Sequence, residues 1–180
     1  MLGSEATGFE GVSRPPLLPA GAAPPRLIVC ERHGDWAAAL RRELADSPLP
    51  IVETRSLPDA WQRLAESPSS IVVAELTRAN AASLVERLAR LERDYPLARA
   101  AVVARRELAH HEFLVREAGA VHFVASLRRL RPMAELVCRH LAQAPVAPRD
   151  FFERIWAALP WKPPPGDPVA PPAGPATREA

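Results

Sequence analysis

Histidine and cysteine are the side chains that most often carry metal, acid–base or nucleophilic chemistry, and the chain has five and two of them. His33, His110 and His111 have no partner ligands at the HExxH-type spacing that puts two imidazoles on one helix face. No serine or cysteine sits in a nucleophile elbow. These histidines therefore read as exposed or partly buried side chains. Cys30 and Cys138 lie inside apolar runs, outside any CxxC or Cys/His cluster, and read as small core residues. The segment Glu31-Arg32-His33-Gly34-Asp35 holds a single glycine, without the GxGxxG or GxxxxGKS/T spacing that lets backbone amides cradle a phosphate. A Rossmann or P-loop enzyme is disfavoured, and neither a resident metal nor a cofactor is expected.

The elements that position these residues occupy the middle of the chain. Residues 1–25 are rich in Gly, Pro, Ala and Ser, and residues 144–180 in Pro and Ala, so both ends read as tails around a folded unit at residues 26–143. The 180 residues suffice for one ordinary domain plus tails. With 48% hydrophobic and 24% charged residues a packed core is feasible. Basic and acidic residues nearly cancel, 23 against 21, so composition does not point to nucleic acid or anionic lipid. Neither a signal peptide nor a membrane-spanning run is apparent, which makes the cytoplasm the expected location, with no membrane partner.

Short apolar runs alternate with amphipathic segments. Leu27 to Cys30, Ile51 to Thr54, Ile71 to Leu76, Ala100 to Ala104 and Val121 to Ala125 read as strands. The first helix is expected from Asp35 as N-cap, with Trp36, Leu40 and Leu44 on one face. Ser56 and Asp59 resemble a capping box ahead of Ala60, Trp61 and Leu64. Asn80 is placed to cap a third helix ended by Pro96, Glu107 to Ala118 forms a fourth closed by Gly119, and a fifth runs from Leu127 to Leu141, regular from about Pro132. Five successive βα units predict an α/β, flavodoxin-like, doubly wound parallel sheet of order 2-1-3-4-5 with helices on both faces.

With that order, the phrases RLIVCER, SSIVVAEL and EAGAVHFVASL resemble the receiver domain of bacterial response regulators over about two thirds of the chain. Glu117-Ala118-Gly119-Ala120, leading into the fifth strand, is the most specific match and fixes the register. A phosphorylatable receiver uses an acidic pair after the first strand for Mg²⁺, an aspartate ending the third as phosphoacceptor, a Thr or Ser after the fourth and a lysine after the fifth. Carried onto this chain, the acidic pair falls on Glu31 and Arg32, the acceptor on Glu75, the hydroxyl on Ala104 and the lysine on Ser126. Only Glu31 keeps a suitable group, whereas Mg²⁺ needs several hard oxygen ligands and a transferring phosphoryl group needs fixed cations. The resemblance thus implies a degenerate pseudo-receiver. An ion pair between Arg32 and Glu75 is expected where metal and phosphate would otherwise sit.

Beyond the domain, Asp150 to Trp161 concentrates aromatics in a chain that is 6% aromatic. If Asp150 caps a helix, Phe152, Ile155, Trp156 and Leu159 form an apolar stripe, followed by Pro160 and Trp161. The stripe either covers its own domain or docks on a partner, with membrane-interface binding a third option. The expected function is a phosphorylation-independent regulatory or scaffold module binding a protein partner, with a homodimer through the fourth and fifth helices an open expectation. The alternatives are a divergent receiver still phosphorylated at an acidic site, with Glu31 and Glu75 on metal, and a nucleic-acid-binding regulator using Arg128, Arg129 and Arg131.

Overall fold

The computed structural model describes residues 22–47 and 49–146, together with Leu18. The candidate docking residues Phe152, Ile155, Trp156, Leu159 and Trp161 lie outside the described residues.

Five strands, β1 (Leu27–Cys30), β2 (Ile51–Thr54), β3 (Ile71–Leu76), β4 (Arg99–Ala104) and β5 (His122–Val124), alternate with α1 (Asp35–Glu43), α2 (Leu57–Glu66), α3 (Ala81–Asp94), α4 (Glu112–Glu117) and α5 (Arg131–Gln143). All strand pairs are parallel, in the order β2-β1-β3-β4-β5. Burial on both faces explains why β3 is a continuous apolar run except for Glu75 rather than an alternating one.

Period-2 alternation sends Ile28, Val72, Ala100 and Val102 to one face, where Trp61, Leu64, Leu84, Leu88 and Val115 of α2, α3 and α4 cover them. Leu27, Val29, Ile71 and Val73 face the other way, onto Trp36 and Leu40 of α1 and Met133 and Val137 of α5. Two cores thus flank one sheet. Its carboxyl edge, where the strand order reverses between β1 and β3, is the crevice in which open α/β sheets place their sites.

Several local devices differ from expectation. Asp35 is the first helical residue of α1 and not its cap; Gly34 precedes it at φ 95°, and no side chain of its own caps the helix. Asn80 precedes α3 yet braces the turn instead, its Oδ1 accepting from Thr77 N–H at 2.8 Å and its Nδ2 donating to the Glu75 carbonyl at 2.8 Å. The fourth helical segment splits into a 3-10 stretch, Arg106–His111, before α4. Ser56 does cap α2, its Oγ accepting from Asp59 N–H at 3.2 Å. Cys138 is only half-buried, beside Ser47, while Cys30 is in the core.

Both ends of the domain are stitched to a buried serine cluster at the opposite pole. Ala23 N–H donates to the Glu66 carbonyl, and Ser67 Oγ lies 3.0 and 2.6 Å from the Ala23 and Pro24 carbonyls. Ser69 Oγ donates to the Pro145 carbonyl at 3.0 Å. The packed unit therefore reaches beyond residues 26–143 on both sides.

Candidate functional site

Glu31, Arg32, Glu75, Ala104 and Ser126 all map to the carboxyl edge of the sheet, at or just beyond the ends of β1, β3, β4 and β5. Topology gathers them at one edge of the sheet.

Glu31 is 3% exposed, and its carboxylate folds over the first turn of α1. Oε2 accepts from Trp36 N–H at 2.9 Å and Oε1 from Ala37 N–H at 2.6 Å. These amides have no intrahelical partner, so the carboxylate satisfies two orphan donors and sits at the positive end of the helix dipole. The left-handed turn at Gly34 brings the helix start back over it. The Glu31 carboxylate is thus a helix cap.

The expected Arg32–Glu75 ion pair is not formed. It is the Arg32 backbone N–H that donates to Glu75 Oε2, at 3.1 Å, while the Arg32 side chain is exposed. A buried guanidinium–carboxylate pair would desolvate two charges, whereas this arrangement leaves the arginine in water and gives the 6%-exposed Glu75 an amide donor. Ala104 is fully buried and offers no hydroxyl. Ser126 uses its Oγ to accept from Arg128 N–H at the start of the 3-10 turn Leu127–Arg129.

Two open pockets flank Glu75. One, of about 280 Å³, includes Arg32, His33, Thr77 and Arg105; the other, of about 400 Å³, lies between the start of α2 and α3. No group of three or more His, Cys, Asp or Glu side chains suited to a metal ion occurs among the described residues. The rings of His110 and His111 lie 4.0 Å apart as neighbours rather than converging with other ligands. Burial pushes the Cys30 thiol up, ahead of smaller effects from Thr54 and nearby carboxylates, so it is a poor thiolate nucleophile.

A third concavity, of about 700 Å³, lies along the 3-10 stretch, β5 and the start of α5, with Arg106, Ala109, His122, Phe123, Arg129 and Pro132 in its wall. Phe113 on α4 is 76% exposed, Leu114 47% and Leu127 43%. Sequence periodicity did not single out Phe113 and Leu114, because six residues of α4 are too few to separate an inward from an outward stripe. Arg128, Arg129 and Arg131 are exposed, the last paired with Glu135 at 3.3 Å.

Comparison of the coordinates with solved structures decides the fold. A CheY-like protein, TadZ from Pseudomonas aeruginosa, superposes with a TM-score of 0.53 at 17% identity, over 64% of this chain and 98% of that one. The fold is that of a response-regulator receiver. A response regulator from Thermotoga maritima matches at TM-score 0.53 and 16% identity, over 67% of this chain and 100% of its own. The beryllofluoride-activated NtrC4 receiver-domain dimer matches at 0.53 and 13%, over 64% and 98%. No family model and no curated protein sequence matches the chain. The shared feature is the sheet, five parallel strands in the order β2-β1-β3-β4-β5 with a crevice at its carboxyl edge.

Proposed function

We propose that the chain is a phosphorylation-independent pseudo-receiver, a non-enzymatic regulatory or scaffold module of bacterial signalling that acts by binding another protein. The observation that carries this reading is the Glu31 carboxylate, whose two oxygens are engaged at 2.9 and 2.6 Å by α1 amides. A Mg²⁺ ion there would compete with the two α1 amides for the carboxylate's charge, and no second carboxylate stands beside it, since Arg32 occupies that position. The missing hydroxyl at Ala104 and missing lysine at Ser126 remove the groups that would read out and neutralise a phosphoryl group.

The α4–β5–α5 side supports a protein-binding role, because Phe113, Leu114 and Leu127 expose apolar area beside a concavity with a polar rim. The NtrC4 receiver is described as a dimer, and a second copy of this chain is one candidate occupant of that side.

The reading is tested by incubating the full chain with Mg²⁺ and a small phosphodonor, then measuring intact mass. An unchanged mass, with partner or self-association equal before and after, is the expected result. Stoichiometric gain of one phosphoryl group on Glu75 would overturn it.

A further inference from the structure

Near-neutral composition conceals a local grouping of arginines. Each of the five loops leaving the carboxyl edge of the sheet carries an exposed arginine, Arg32, Arg55, Arg78, Arg105 and Arg128 in chain order. Of these, Arg105 meets Asp35 at 3.7 Å and Arg55 meets Glu53 at 3.3 Å. Summed over one pole, such charges raise the local concentration of small anions.

The 400 Å³ pocket opens within this basic rim, at the reversal between β1 and β3. Arg55, just before α2, and Arg87, on α3, both line it. Arg87 is held rather than floating, its guanidinium 5.3 Å from the centre of the buried Trp61 ring. Among the described residues it pairs with no carboxylate, so its donors remain available. Arg55 is steadied by donation to the Glu31 carbonyl at 3.3 Å. Thr77 and Ser83 add hydroxyls to the same wall.

Two carboxylates also line the pocket, and their bonding decides which ligand it suits. Glu31 has both oxygens occupied by α1 amides. Glu75 has Oε2 occupied by Arg32 N–H, and among the described residues no donor reaches its Oε1. That oxygen is an open acceptor in a pocket that Arg55 and Arg87 also line. A bare anion would leave it unmatched, whereas a molecule with a phosphate at one end and a hydroxyl at the other would satisfy both.

We propose that the cavity between α2 and α3 reversibly binds a small hydroxyl-bearing organic phosphate, its phosphate held by Arg55 and Arg87 and a hydroxyl donated to Glu75. This goes beyond the protein-docking role and involves no covalent step. Binding would make the module responsive to a diffusible ligand in place of phosphorylation.

The test is titration of the full ¹⁵N-labelled chain with ribose 5-phosphate, at constant ionic strength, beside ribose alone. Saturable amide shifts at Thr77, Ser83 and Arg87 with ribose 5-phosphate and none with ribose are expected. R87Q should weaken binding by about tenfold, the loss of one charge-assisted contact. R105Q, at the neighbouring pocket, should change it less than about twofold. Because R87Q also removes the Trp61 contact, R55Q serves as the second variant and should weaken binding similarly. Shifts that do not saturate, that fall equally on Arg128 and Arg129, or that survive both variants unchanged would overturn the proposal. Ribose 5-phosphate is no phosphodonor, so such a failure leaves phosphorylation independence untouched.

Discussion

Replacing Glu31 by alanine removes a carboxylate that is 3% exposed and leaves the Trp36 and Ala37 amides, both of buried residues, without an acceptor. Losing a side-chain N-cap costs about 1 kcal/mol, and losing charge at the helix start adds up to about 1 kcal/mol. Stranding two donors away from water raises the total to about 2–4 kcal/mol. Set against a domain stability of about 5–15 kcal/mol, that is a large fraction. Urea unfolding of the full chain, followed by tryptophan fluorescence, should show a midpoint lower by about 1–2 M. E31Q keeps one acceptor oxygen and should lose about 1–2 kcal/mol. D35A changes an exposed first-turn residue that makes no capping bond, and should stay within about 0.5 kcal/mol of the parent. E31A unfolding within about 0.5 kcal/mol of the parent would refute the capping argument, because a carboxylate free to bind metal contributes little to the helix.

Other expectations follow from single contacts. R32A keeps the backbone donor to Glu75 and should be nearly neutral, while E75A should cost about 1–2 kcal/mol, with the double mutant additive in the same unfolding assay. Gly119 has φ 112°, and a Cβ there would approach the Leu88 carbonyl oxygen to 3.2 Å, so G119A should destabilise by about 1–3 kcal/mol by thermal unfolding. Burial lowers the His140 pKa from its ordinary 6.5, outweighing its contact with the Ser69 carbonyl. The unfolded chain then takes the proton first, so stability should be full above about pH 6.5 and fall below it, and H140Q should flatten that slope. F113D places a charge on the most exposed large apolar side chain among the described residues and should weaken self- or partner association, read by sedimentation, without lowering the unfolding midpoint.

The sheet was legible in the sequence because its signals are redundant. Each strand is an apolar run of the right length, and parallel order follows from the βα alternation, so small errors at the edges, such as Arg99 joining β4 or Val121 leaving β5, change nothing downstream. The register of Glu31, Glu75, Ala104 and Ser126 at the carboxyl edge was legible for the same reason. What their side chains do was not. Periodicity cannot say that a glutamate reaches five and six residues forward to cap α1, nor that Arg32 offers its backbone and not its guanidinium. Asp35 and Asn80 look like caps by type, yet the first lost the role to the better-buried Glu31 and the second to a bracing contact with the β3 carbonyl. The exposed arginine in each carboxyl-edge loop was equally hidden, since a total of 23 against 21 says nothing about where individual charges fall.

The most direct test of the central claim is whether a divalent ion reaches Glu31. Mn²⁺, standing in for Mg²⁺, broadens nearby amide resonances when it binds. Titrated into the ¹⁵N-labelled chain, it should leave the Trp36 and Ala37 amides without saturable broadening and the unfolding midpoint unmoved. Saturable broadening of those two amides, abolished by E31Q, would show a metal site where a helix cap is described and would contradict the pseudo-receiver reading.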